Sequence, residues 1–135
     1  MQEDKAAIVQ ALTDYQTAFS RHDPQSTQLY YHVPCMLIGA EGVVVLISRP
    51  EIEAFFAALM ESLEARGWAR SQWVEVYVKQ LSDSVALVST VAARYKADGK
   101  ELERVGATYV FHKTDDAWKI AMVTPHLPDC VLQLD

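Results

Sequence analysis

Residues 85–113 read VALVSTVAARYKADGKELERVGATYVFHK, two strand-like runs on either side of Asp98-Gly99. Asp-Gly suits a two-residue type I′ hairpin turn, because both central residues of that turn need positive φ. Such a turn sets Lys96 opposite Glu101 and Arg94 opposite Glu103, two opposite-charge pairs that a one-residue slip would lose. Counting outward, Ala86, Val88, Thr90, Ala92 and Arg94 share one side with Glu103, Val105, Ala107, Tyr109 and Phe111, since directly opposed residues point the same way. This side is large, apolar and aromatic, so it is expected to lie under the rest of the chain.

Two further runs extend the sheet. If Thr114–Ala117 is a four-residue turn, the strand from Trp118 to Thr124 adds Trp118, Ile120, Met122 and Thr124 to the inner side. The strand Trp73–Lys79 is open to two readings. A simple loop at Ser82-Asp83 turns Trp73, Glu75, Tyr77 and Lys79 inward; a bulge turns Val74, Val76 and Val78 inward.

The first half has helical period. Ile8, Leu12, Tyr15 and Phe19 fall on one face and predict a helix over about residues 4–21. Asp23-Pro24 supplies an N-cap and a proline at the first helical position, opening a short helix over 24–31. Residues 32–47 read as two short buried strands joined at Glu41-Gly42. Ser48-Arg49-Pro50-Glu51 is a capping box that starts a helix over 49–66, and Gly67 is its C-terminal stop. Three helices followed by long antiparallel strands define an α+β fold with the helices on one face of the sheet.

The 135 residues are taken as one domain spanning 1–135, long enough to bury roughly two-thirds of the unfolded surface. A formal net charge of -6 disfavours nucleic acid and anionic membranes, which select clustered Lys and Arg. The acidic start MQEDKAAIVQ and the lack of a membrane-length apolar run point to a cytoplasmic protein. Cys35 and Cys130 sit in no metal or redox spacing, and His22, His32, His112 and His126 show no ligand spacing, so neither metal nor cofactor is expected.

The order of elements, together with YQTAFSRHD (15–23), PEIEAFF (50–56) and ATYVFHKTDDAWKI (107–120), resembles the nuclear transport factor 2-like superfamily, and within it the SnoaL-like and uncharacterised bacterial proteins. The resemblance implies a cystatin-like cone: a strongly curved antiparallel sheet wrapped on three N-terminal helices, with a pocket between the sheet and the first helix. The catalytic groups of known members are missing at the matching positions. Ketosteroid isomerases place a base Asp where this chain reads Met36-Leu37-Ile38-Gly39, scytalone dehydratase an acid where it reads Phe19-Ser20, and limonene epoxide hydrolase an Arg-x-Asp where it reads Arg94-Tyr95-Lys96.

The pocket is expected to be bounded by Tyr15, Phe19, Tyr109 and Trp118, with Thr90, Arg94 and Glu103 as polar members. Arg94 and Glu103 have two readings: an inward pair that orients a ligand or poises Glu103 as a base, or a solvated cross-strand ion pair. Two functions follow. The first is a binding module for a small hydrophobic molecule; the alternative is an isomerase, dehydratase or hydrolase acting through Glu103 or His126. Leu87, Val91, Ala93, Tyr95, Leu102, Val110, Ala121 and Val123 are expected on the outer face, too many apolar groups to leave solvated, so a homodimer through that face is expected.

Overall fold

A computed structural model describes residues 2–134. Its elements run α1 (Gln2–Ser20), α2 (Pro24–Thr27), a 3-10 turn (Gln28–Tyr30), β1 (Tyr31–Gly39), β2 (Gly42–Leu46), α3 (Arg49–Ala65), β3 (Trp68–Gln80), β4 (Val85–Lys96), β5 (Glu101–Thr114) and β6 (Ala117–His126). One six-stranded sheet in the order β2-β1-β6-β5-β4-β3 packs its inner face on the helices. The sheet is antiparallel, as expected, at every pair but one: β1 and β6 run parallel. The reason is the crossover: the strand after the first helices is separated from β6 by most of the chain and joins the sheet from the far side.

The helices start as their caps dictate. Asp23 accepts from the Ser26 N–H at 3.1 Å, and Ser48 from the Glu51 N–H at 3.3 Å. In place of the reciprocal half of a capping box, the Ser48 hydroxyl donates to Glu51 Oε2 at 3.0 Å. Gly67 closes α3 at φ 94, a conformation that L side chains rarely adopt. Ile8, Leu12, Ile52, Phe56 and Met60 are almost wholly buried against Val88, Phe111 and Ile120 of the sheet.

The β4–β5 faces follow the expected register from Ala86↔Phe111 to Arg94↔Glu103. The turn does not. Gly99 N–H bonds Lys96 O, Gly99 alone has positive φ, and Glu101 lies opposite Tyr95, not Lys96. This is a three-residue turn with a bulge, the form a following glycine favours when the residue before it keeps negative φ. Conversely, Asp115 and Asp116 both take positive φ (52 and 63) in a two-residue turn that pairs Thr114 with Ala117.

Two bulges switch faces within strands. In β3, Trp73 pairs Ala92 and faces inward; after the bulge at Val74, Val76 and Val78 face inward with Thr90 and Val88. Each of the two alternatives thus holds for half the strand. In β6, the bulge at Ala121 places Val123, not Met122 and Thr124, beside Tyr109 on the inner face. Val123 is accordingly buried in the core, which removes it from the outer face. The expected burial of β2 is also corrected: as the edge strand it leaves Val43, Val44 and Val45 exposed and buries only Leu46.

Residues after β6 fold back over the outer face. Leu132 N–H donates to Ser89 Oγ at 2.9 Å, and Ser89 Oγ lies 2.8 Å from Thr108 Oγ1. Ser89, Val91 and Ala93, all outward in the register, are buried. Among the described residues no helix is long and apolar enough to cross a membrane.

Candidate functional site

Between α1, α3 and the inner face lies a cavity of about 300 Å³. It exists because Thr90, Ala92 and Ala107 are small where the facing helices carry Phe19, Phe55 and Phe56. Trp73 closes one side and is fixed there by its indole N–H, which donates to Leu12 O at 3.2 Å. Val105 and Val123 complete the sheet wall.

The polar groups are few. Tyr15 and Tyr31 hydroxyls lie 3.0 Å apart, and the Tyr109 ring meets Tyr15 edge-on at 6.2 Å. Burial pushes the Tyr15 phenol up to about 12, and it holds Tyr31 and Tyr109 well above the usual range. All three stay neutral donors at physiological pH. The Thr90 hydroxyl is already committed, donating to Ala107 O at 2.7 Å.

Arg94 lines the cavity; Glu103 does not. Glu103 sits behind the arginine, accepting from Arg94 Nη1 at 2.7 Å and from Arg66 Nη2 at 2.7 Å. Its carboxyl is held below the usual range, first by the hydrogen bond from Arg66 and further by Arg94, against the opposing effect of burial. A carboxylate gripped by two guanidinium groups is poorly placed to take a proton.

His126 borders the cavity, but its ring is turned to the outer face. Nε2 lies 2.8 Å from Thr108 Oγ1 and Nδ1 2.8 Å from Leu127 O. Trp118 is buried in the core outside the cavity: it pairs with Lys113, whose ammonium reaches Asp4 at 3.2 Å near the start of α1. Of the predicted pocket residues, Tyr15, Phe19, Thr90, Arg94 and Tyr109 line one space and Trp118 does not.

The family model described as NTF2-like protein (DUF6841) matches residues 3–128. The chain belongs to this NTF2-like family. No curated protein matches it. Solved structures with the same fold include a domain of unknown function with a cystatin-like fold from Nostoc punctiforme (22% identity, TM-score 0.74, 93% of this chain and 77% of that one). An NTF2-like protein from Novosphingobium aromaticivorans is 14% identical with TM-score 0.76, covering 96% and 84%. An NTF-2 like protein of unknown function from Shewanella oneidensis is 21% identical with TM-score 0.71, covering 93% and 98%. These likenesses carry the fold alone.

This NTF2-like cavity also holds residues the sequence reading passed over. Tyr31 begins β1 after the 3-10 turn, where neither period applies, and Trp73 lies on the strand whose pattern allows either face inward. Phe55, which the helical period already sets in the core stripe of α3, borders the cavity as well. The doubled aromatic Tyr30-Tyr31 was the available signal. His22 was also missed: at φ 59 it stacks on Trp68 (4.0 Å between centroids), bonds Glu64 and lies 2.7 Å from Ala69 O, tying the end of α1 to α3 and β3.

Proposed function

We propose that the cavity binds a small, mostly apolar molecule carrying an oxygen acceptor. The observation behind this is the pairing of an apolar wall with three neutral phenols and one guanidinium. The Tyr15–Tyr31 pair uses one hydroxyl hydrogen between its two phenols, so one O–H of the pair is left to donate to a ligand. Arg94 supplies a second donor and a positive field at the wall. The enzymatic alternative has less support, because Glu103 is doubly paired and the His126 ring faces away. Native mass spectrometry of freshly purified protein tests the reading: a co-purified mass that leaves on denaturation supports it, and bare protein that also fails to bind ring ketones or phenols overturns it.

A homodimer through the outer face is proposed on a row of five outward residues that continues across five strands. The register pairs Leu87↔Val110, Val110↔Met122, Met122↔Met36 and Met36↔Val45. Met36 and Val45 are 36% and 52% exposed, apolar area that a second copy would bury. Val91 and Ala93 are already covered within one chain, so the row, not those two, forms the proposed centre. A specific interface should bury at least about 1,000 Å². Val110→Glu should sediment as a folded monomer; a wild type that is itself monomeric at tens of micromolar overturns the dimer.

A further inference from the structure

We propose that His32 and His112 form a binding site for one divalent transition-metal ion, such as Zn²⁺, on the outer face of the sheet. The two residues are 80 positions apart in sequence and lie on β1 and β5, with β6 between them. Their rings reach across β6 to a centroid separation of 5.5 Å at an interplanar angle of 88°. With metal–nitrogen bonds of about 2.0 Å and tetrahedral angles, two ligating imidazoles place their centroids about 5 Å apart. The observed centroid separation is thus close to that of two imidazoles sharing one ion.

The hydrogen bonds single out this pair among the four histidines. His22 and His126 engage both ring nitrogens: His22 with Glu64 and Ala69 O, His126 with Thr108 and Leu127 O. His32 and His112 engage only Nδ1, at 2.9 Å from Pro34 O and 2.9 Å from Thr114 Oγ1. A carbonyl can only accept, so the His32 proton sits on Nδ1 and the Nε2 lone pair is free. His112 adopts the same tautomer when Nδ1 donates to the threonine hydroxyl. An outer hydrogen bond on Nδ1 with Nε2 left open is the arrangement that orients metal-ligating histidines.

Two imidazoles and no acid favour a borderline ion such as Zn²⁺, Ni²⁺ or Cu²⁺ over Mg²⁺ or Ca²⁺, which select oxygen. Among the described residues no third His, Cys, Asp or Glu joins the pair, so water completes the coordination. Lys119, the register partner of His112, directs its ammonium away to Leu29 O at 2.7 Å.

The test is a Zn²⁺ titration of 15N-labelled protein followed by the imidazole nitrogen signals. Nε2 of His32 and His112 should shift together and saturate at one equivalent, while those of His22 and His126 stay in place. His32→Gln and His112→Gln should each weaken binding tenfold or more, with backbone spectra unchanged; His22→Gln should not. Cu²⁺ should bind more tightly than Zn²⁺ and Mg²⁺ not at all. The proposal is overturned by the absence of saturation below 1 mM, by undiminished binding in His112→Gln, or by inorganic phosphate shifting the same signals where Zn²⁺ does not. That last result would assign the two imidazoles to an anion site.

Discussion

Arg94 Nη1 lies 2.7 Å from Glu103 Oε2, directly across the β4–β5 pair, and the arginine lines the cavity while the carboxylate stands outside its lining. The second Glu103 oxygen is taken by Arg66 at 2.7 Å. One carboxylate thereby fixes the position of a guanidinium at the cavity wall. Removing that acid should loosen Arg94 rather than abolish a proton-transfer step. Glu103→Gln is expected to weaken binding of an acceptor-bearing ligand several-fold and Arg94→Met more strongly, measured by titration against a common ligand.

The same pair sets an acid limb of stability. The Glu103 carboxyl is depressed in the folded chain, so its contribution is fully present above the unfolded value of about 4.3 and is lost as pH falls through the lower folded value. Urea midpoints followed from pH 6 to pH 2 should therefore fall less steeply for Glu103→Gln than for the wild type. Parallel curves would mean that other carboxylates carry the acid response.

Ser48→Ala should lower stability by about 1 kcal/mol, because the hydroxyl both caps the Glu51 N–H and holds the Glu51 carboxylate. Denaturant unfolding should show a lower midpoint with an unchanged slope.

Gly106 allows the chain after β6 to fold back. A Cβ there would stand 2.4 Å from His126 Nδ1 and 2.8 Å from Leu127 O, so ring and backbone would both have to shift. Gly106→Ala should cost about 1 to 3 kcal/mol. It should also release the segment from Leu127 onward to proteolysis well before the rest of the chain is cut. Equal protection in the variant would mean that Ser89 alone holds the segment.

The two thiols should react differently. Burial pushes Cys35 up to about 11, and the side chain is enclosed in the core, whereas Cys130 is exposed. Iodoacetamide at pH 8 should label Cys130 in the native protein and reach Cys35 only after denaturation, read by peptide mass. Early labelling of Cys35 would show that the core near β1 opens.

What was legible in the sequence follows from which physical signals are local. The capped starts of the helices, the inner face of β4 and β5, and the Arg94↔Glu103 register were readable because side-chain period and charge pairing act within a hairpin. The four-residue turn Thr114–Ala117 was readable too, but the type of the Asp98-Gly99 turn was not: Asp98 keeps negative φ, so only Gly99 takes the left-handed conformation and a bulge follows. The bulges at Val74 and Ala121 leave no mark in the pattern, and they decide that Trp73 and Val123 line the cavity. Trp118 was misplaced for a different reason. It does face inward, but the cavity occupies only the end of the sheet near Arg94, and position along a strand carries no periodic signal. The fold-back of the chain after β6 and the parallel β1–β6 pair are long-range, so nothing in either segment announces them.

The most direct test of the cavity reading is a titration with matched ring compounds, 2-naphthol and naphthalene, followed by the Trp73 indole N–H resonance in the wild type, in Tyr15→Phe and in the cavity-filling variant Ala107→Phe. 2-Naphthol should bind the wild type at one site and more tightly than naphthalene. Tyr15→Phe should narrow that difference, and Ala107→Phe, if folded, should bind neither. Equal affinity for the two compounds in the wild type, or undiminished binding in folded Ala107→Phe, would contradict an acceptor-reading site in this cavity.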